Sequence, residues 1–299
     1  MRVPESAASG EQMDELVRSA VDGGVGTITL DSPGNRNALS RQLRGELVAA
    51  LQQLGTDPAV RVVVLTHTGP VFCAGMDLKE SAVEKPGAEG VRELPRILQL
   101  VAGCPKPVIA RVAGAARAGG IGIMAATDIV VAAPTATFAF SEVRIGLVPA
   151  VISVPVLHRM DPVAARELFL TGAVFDAERA LRTGLVNVLA PVDHRDGSTS
   201  PDDQSAVLDD TVAGYVADLL NGGPTALAGT KALLRRDYDD SDERFADLLA
   251  LSAQQFSTEE AREGARSFAE KRPAAWTRAR AHRDCDSAPD READGDQHQ

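Results

Sequence analysis

The 299-residue chain is poor in several things that usually declare a function. It has three cysteines (Cys73, Cys104 and Cys285) with no CxxC or other paired spacing. That argues against a disulfide framework and a zinc site, and it fits a reducing cytoplasm. Its five histidines, at positions 67, 158, 194, 282 and 298, show no metal-ligand spacing, so no metal is expected. Positive charge is scarce: 31 Lys+Arg face 42 Asp+Glu, a net charge of −11. A nucleic acid or an anionic membrane surface is therefore not the expected partner. No long apolar run exists. The most apolar stretch, Ile121 to Pro134, is too short to span a bilayer and carries Asp128. The opening MRVPESAASGEQMDEL lacks the apolar centre of a secretory signal. Aromatic residues make up only 4% of the chain, but 44% is hydrophobic and 24% charged. That is ordinary globular composition, ample for one large core or two small ones.

Residues 1–15 are small and polar and are expected to be flexible. Gly24 to Asp31 reads as a strand, and SPGNRNAL then breaks the pattern. From Ser40, a candidate N-cap, Leu43, Leu47, Val48, Leu51 and Leu54 recur at helical spacing. Val60 to His67 reads as a buried strand, with His67 as a polar cap at a sheet edge. A helix around Val91 to Ala102, a strand in CPKPVIARVAG, a Gly-rich turn into a helix in AARAGGIGIMAAT, and a strand in DIVVAAP follow. Strands and helices alternating this closely predict an α/β core, placed at 16–205. Its last unit is ALRTGLVNVLAP, a helix stopped at Gly184 and then a strand. His194 to Ala206 reads as a polar loop. Helices are expected over 206–276 as a packing or subunit-contact region, and a disordered acidic tail over 277–299.

Few segments carry chemistry by themselves. Gly120 to Ala125 matches G-x-G-x-x-A, but the acidic residue of a dinucleotide site should end DIVVAAP, which ends in alanines and proline. Cys73 lies between Phe72 and Ala74 with no basic neighbour, the setting of a buried thiol rather than a nucleophile. The loops FCAGMDL (72–78) and ARAGG (116–120) each pass from a strand into a helix. Each can leave a backbone N–H unpaired. Two such donors converging on one oxygen form an oxyanion hole, each worth roughly 3 kcal/mol to a transition state. Glu142 stands alone in the apolar run FAFSEVRIGLVP (138–149). It either pairs with a cation such as Arg144, or sits in a pocket that raises its pKa toward the range of a proton carrier.

Taken in order, the NRNAL turn, VVVLT with FCAGMDLKE, PKPVIARVAG, ARAGGIGIMAATDI, FAFSEVRIGLVP, ALRTGLVN and SFAEKRPAAW resemble the crotonase (enoyl-CoA hydratase/isomerase) superfamily, from about Val21 to Trp276. The resemblance implies a spiral of ββα units with a C-terminal helical oligomerisation region, and a homotrimer or homohexamer. It implies an acyl-CoA substrate and no prosthetic group. It places the thioester oxygen between the N–H groups of Met76 and Gly119. By the same resemblance Arg36, Ala38, Ala74, Asp77, Leu78 and Lys79 line the coenzyme A site. Phe268 and Lys271 would reach its nucleotide end, often across a subunit boundary. Lys79 and Lys271 would offer charge to phosphates in an otherwise acidic protein.

One departure stands out. Hydratases of this superfamily usually carry two glutamates, and the first falls here on Gly122, leaving Glu142 alone. A branch resembling 3-methylglutaconyl-CoA hydratases shares that glycine and the segment Ser141 to Ser153. Three functions are then open. Glu142 alone could serve a hydratase, with Arg117 or Arg144 holding a carboxylate on the acyl chain. It could serve a Δ3-Δ2 isomerase, where one carboxylate suffices. The third is acyl-CoA binding without catalysis.

Overall fold

The computed structural model describes residues 14–77, 80, 90–192, 201–235, 249, 250, 252, 254 and 258–280. Two sheets organise the core. The first has six strands in the order β1-β2-β3-β5-β7-β10. These are β1 (Val17–Asp22), β2 (Val25–Leu30), β3 (Val62–His67), β5 (Val108–Val112), β7 (Ile129–Ala132) and β10 (Val188–Leu189). Only the β1–β2 pair is antiparallel. The second sheet runs β4 (Val71–Cys73), β6 (Ala115–Arg117), β8 (Thr137–Ala139) and β9 (Phe175–Asp176). Its first three strands are parallel.

The chain visits the sheets in turn. β3 and β4 lead to α2 (Gly90–Gly103), and β5 and β6 lead to α3 (Gly119–Ala125). β7 and β8 lead through a 3₁₀ turn (Ser141–Ile145) to α4 (Ala150–Leu157) and α5 (Pro162–Thr171). This is the expected spiral of ββα units. α1 (Arg41–Thr56) precedes it, and β9, α6 (Ala177–Arg182) and β10 close it. α7 (Pro201–Asn221), α8 (Pro224–Leu234) and α9 (Glu259–Ala269) form the helical end.

The local signals read from sequence act as expected. The Ser40 hydroxyl accepts the Leu43 N–H and starts α1, which buries Leu43, Leu47, Leu51 and Leu54. Gly184, at φ +82°, ends the α6 segment, and a Cβ there would lie 2.5 Å from the Arg159 carbonyl oxygen. The larger core joins one face of the six-stranded sheet to α1, α2 and α3. A smaller one, with Val64, Ile109, Leu208 and Val212, joins the opposite face to α7. Lys231, 7% exposed, ties α8 to the core through Asp128 at 2.6 Å and the Lys106 carbonyl.

Four expectations need correction. β1 was not expected, because five of its six residues are exposed and give no buried alternation. The signal was the turn Gly23-Gly24, both at positive φ, which closes a hairpin onto β2. His67 is not at a sheet edge, since β3 lies between β2 and β5. It is buried, accepts the Ala113 N–H on Nε2, and is held down to about 4 chiefly by burial. α7 begins at Pro201, inside the expected loop, because proline is pre-set for a helix's first turn. A 3₁₀ helix, Ala275–Arg280, carries ordered backbone past the expected boundary at 276. The rest of that tail, and residues 1–13, lie outside the described residues.

Candidate active site

Three turns that looked separate in sequence leave neighbouring strands at the same end of the four-stranded sheet. β4 pairs with β6 through Val71 to Ala115 and Cys73 to Ala116. β6 pairs with β8 through Ala116 to Phe138 and Arg117 to Ala139. Parallel neighbours lie about 4.8 Å apart. Met76 follows β4, Gly119 follows β6 and Glu142 follows β8, so parallel pairing sets the three side by side.

The first two turns touch. A Cβ on Gly75 would stand 3.4 Å from the Gly119 nitrogen and 2.9 Å from Ala118 Cβ. Gly75 sits at φ +89°, which glycine tolerates. Ala118, at φ +47° and ψ −118°, has no such freedom. It is a strained residue at the point where Gly119 is aimed. Among the described residues, neither the Met76 N–H nor the Gly119 N–H donates to a protein acceptor. Cys73 supports the pair from behind: its Sγ accepts the Gly75 N–H at 3.4 Å. The thiol is fully buried and pushed up to about 12 by that burial, so it stays neutral.

The NRNAL turn holds the first of these turns in place. Arg36 and Asn37 are both left-handed, at φ +54° and +52°. The Arg36 carbonyl accepts the Ala74 N–H, and the Gly75 carbonyl accepts the Leu39 N–H. The Asn35 amide donates to Asp77 at 2.7 Å. Asn37 is completely buried, and its amide is fully used. It accepts from Ser32 N–H and donates to the Thr68 and Val71 carbonyls. Asn37→Ala leaves those three groups unpaired and is expected to lower stability by at least roughly 3 kcal/mol, at about 1–3 per stranded group. Urea unfolding measures it, and an unchanged midpoint would refute the role.

Glu142 lies on the 3₁₀ turn after β8. Its Oε2 is buried with no hydrogen-bond partner, and desolvation raises its pKa. Of the two open readings, the pairing with Arg144 fails. The Arg144 guanidinium instead donates to the Gly172 carbonyl at 3.0 Å. On α5, packed against this turn, Arg166 is exposed and Glu167 pairs with Arg179. Among the described residues no cation lies within ion-pair distance of Glu142. Arg117 is engaged too: it donates to the Thr137 carbonyl at 2.5 Å and to the Thr137 hydroxyl at 2.9 Å.

The other sequence-derived positions divide. Arg36, Ala38, Ala74 and Asp77 cluster around the Met76 turn. Leu78 and Lys79 lie outside the described residues. Phe268 and Lys271 sit at the end of α9, exposed. Glu260 anchors α9 to Thr225 and Ala226 of α8, away from the three turns. Gly122 is buried in α3, and Ile152, which sequence reasoning did not single out, packs against it. A cleft of ≈ 520 Å³ lies elsewhere, between α7 and the six-stranded sheet. It holds none of these groups, and its Arg111 is spent on Asp209 and Ser205. Among the described residues no cluster could hold a metal ion, and no helix is long and apolar enough to cross a membrane.

Residues 20–279 match the family described as Enoyl-CoA hydratase/isomerase. Enoyl-CoA hydratase EchA19 of Mycobacterium tuberculosis is 35% identical over 253 residues, covering 82% of this chain and 90% of that protein. Carnitinyl-CoA dehydratase of Proteus mirabilis is 31% identical over 278 residues, covering 88% and 99%. The solved structure of an enoyl-CoA hydratase from Mycobacterium smegmatis superposes with a TM-score of 0.78 at 33% identity, covering 88% and 99%.

Proposed function

The chain belongs to the enoyl-CoA hydratase/isomerase (crotonase) family, and from that premise we propose that it adds or removes water across the C2–C3 double bond of an acyl-CoA thioester. The observation that carries this reading is Glu142: a half-buried carboxylate whose Oε2 is covered and has no hydrogen-bond partner, beside two adjoining turns with unspent N–H groups. The thioester oxygen sits between the Met76 and Gly119 N–H groups, where enolate charge develops. The water oxygen bonds to C3 as Glu142 takes its proton. The π electrons move toward the thioester oxygen, and Glu142 passes that proton to C2. A single carboxylate thus closes the proton balance, and the reverse sequence eliminates water. The relative named Carnitinyl-CoA dehydratase supports the water-removing direction.

The acyl chain is read as a branched or glutaconyl-type group, on the likeness of the Ser141 to Ser153 segment. Arg36, Ala38, Ala74, Asp77, Leu78 and Lys79 are read as the coenzyme A contacts, joined by Phe268 and Lys271 of a neighbouring subunit. Engagement of Arg117 and Arg144 with backbone carbonyls weakens a role for either in holding an acyl carboxylate. The experiment is product mass in H₂¹⁸O with 3-methylglutaconyl-CoA and, separately, crotonyl-CoA. A product heavier by one labelled water, lost in Glu142→Gln, supports the hydratase. Conversion of a 3-enoyl-CoA to its 2-enoyl isomer without label, read by chromatography because the mass does not change, supports the Δ3-Δ2 isomerase, which the lone carboxylate also suits. Binding with no turnover, unchanged in Glu142→Gln, supports the non-catalytic reading.

A trimer or hexamer is part of the same proposal. Val148, Val154, Leu157, Val163, Leu170 and Val174 are large, apolar and exposed within one stretch of chain. Such an accumulation supports a contact surface where the exposed groups are contiguous. Light scattering is expected to give three or six times the 31.4 kDa chain mass. A monomer at micromolar concentration would overturn it.

A further inference from the structure

Position 122, where related hydratases place a second carboxylate, is not an empty space in this protein. A Cβ on Gly122 would lie 2.6 Å from Ile152 Cγ2, 3.0 Å from Ile152 Cβ and 3.5 Å from Ile152 Cα. Carbon atoms in contact prefer about 3.5–4.0 Å. A side chain there requires Ile152 or α4 to shift, because the obstacle is the Cγ2 methyl and the branched Cβ of Ile152, while its Cα is at ordinary contact distance. Ile152 is 2% exposed, and α4 carries no charged residue. The glycine is thus the complement of an isoleucine on a facing helix.

The contact reaches Glu142 through a short connection. Only Gly146 to Pro149 separate the 3₁₀ turn from α4. Within that connection the Leu147 and Gly146 N–H groups both return to the Glu142 carbonyl. The depth at which α4 seats on α3 is therefore carried to the Glu142 turn with little slack. We propose that Ile152 is a positioning residue that fills the place of the second carboxylate and, by seating α4 on Gly122, holds the Glu142 turn so that Oε2 of its half-buried carboxylate stays covered. The missing glutamate and the placing of the remaining one are then two results of a single helix contact. The site is committed to one proton carrier, and a glutamate at 122 alone would collide with the Ile152 side chain instead of adding a second. This inference rests on reading Glu142 as that carrier.

Two readouts test it without relying on turnover. The first is a thermal-unfolding cycle of Gly122→Ala, Ile152→Ala and the double variant of the full chain. Gly122→Ala is expected to lower Tm by several degrees in the native background and by much less once Ile152 is alanine. Additive shifts would overturn the contact. The second is an infrared titration of the Glu142 carboxyl band, assigned by its loss in Glu142→Gln. The midpoint is expected to fall by at least half a pH unit in Ile152→Ala as water enters, and to stay near native in Ile152→Val. An unmoved midpoint in Ile152→Ala, with the thermal coupling intact, would reduce Ile152 to a packing residue and overturn the positioning role. Failure of the ¹⁸O assay, by contrast, would overturn the hydratase reading while leaving both of these results to stand.

Discussion

Glu142→Gln is expected to lower kcat by about 10²–10⁴-fold, the usual contribution of a positioned proton carrier. The substitution keeps the side-chain size and removes only the capacity to take and return a proton. KM should change far less, since on the proposed reading other groups hold the thioester and the coenzyme A moiety. The pH behaviour follows from the direction of the shift. Desolvation raises the Glu142 pKa, so a larger fraction is protonated near neutrality than for an exposed glutamate. Hydration needs the carboxylate form first, so kcat/KM should rise with pH through that raised pKa. Stability moves the other way. A carboxyl group whose pKa is higher folded than unfolded binds protons more readily in the native state. Its favourable contribution is full below the unfolded pKa and is lost as pH climbs through the folded one. At neutral pH the native residue is therefore a burden on the fold, and Glu142→Gln should melt at the same temperature or higher while losing activity. Thermal scans at pH 5 and pH 8 beside steady-state rates measure both. A glutamine variant that melts clearly lower, or that retains its rate, would refute this assignment.

Gly75→Ala is expected to cost about 10²–10³-fold in kcat, the loss typical of a misplaced oxyanion donor. Two independent reasons converge on this glycine. Its φ of +89° strains any L side chain. The added methyl would also lie 2.9 Å from Ala118 Cβ, 3.3 Å from the Arg117 carbonyl oxygen and 3.4 Å from the Gly119 nitrogen. It would wedge apart the two turns whose N–H groups meet on one oxygen in the proposed oxyanion hole. Coenzyme A affinity, measured by calorimetry, should fall much less than kcat. Gly45→Ala in α1, where a methyl meets open space, is the control and should leave the rate unchanged. Equal losses in affinity and rate for Gly75→Ala would mean that this turn binds the ligand without serving the transition state.

Much of this protein is legible in its residues because the signals are local. Ser40 caps a helix, Gly184 stops one, and valines at 62–64 make a buried strand, each through neighbours within a turn or a pleat. Local signals failed where burial was one-sided or absent, as in the exposed strand β1, whose only mark is a pair of glycines. They also misplaced His67, since being central or at an edge depends on strands distant in sequence. The missing carboxylate at Gly122 and the isolated one at Glu142 were visible as letters. Their meaning was not. Whether Glu142 pairs with Arg144 depends on the carbonyl of Gly172, 28 residues further along. Whether Gly122 is a vacancy depends on Ile152, which occupies the space its side chain would need. The convergence of Met76, Gly119 and Glu142 depends on the parallel order of β4, β6 and β8. By itself the sequence determined the elements and the chemical groups they carry, because helix and strand periods are short-range. Only the tertiary structure decided which groups meet and which stay unpaired, because contacts across strands and between helices join residues that the chain keeps far apart.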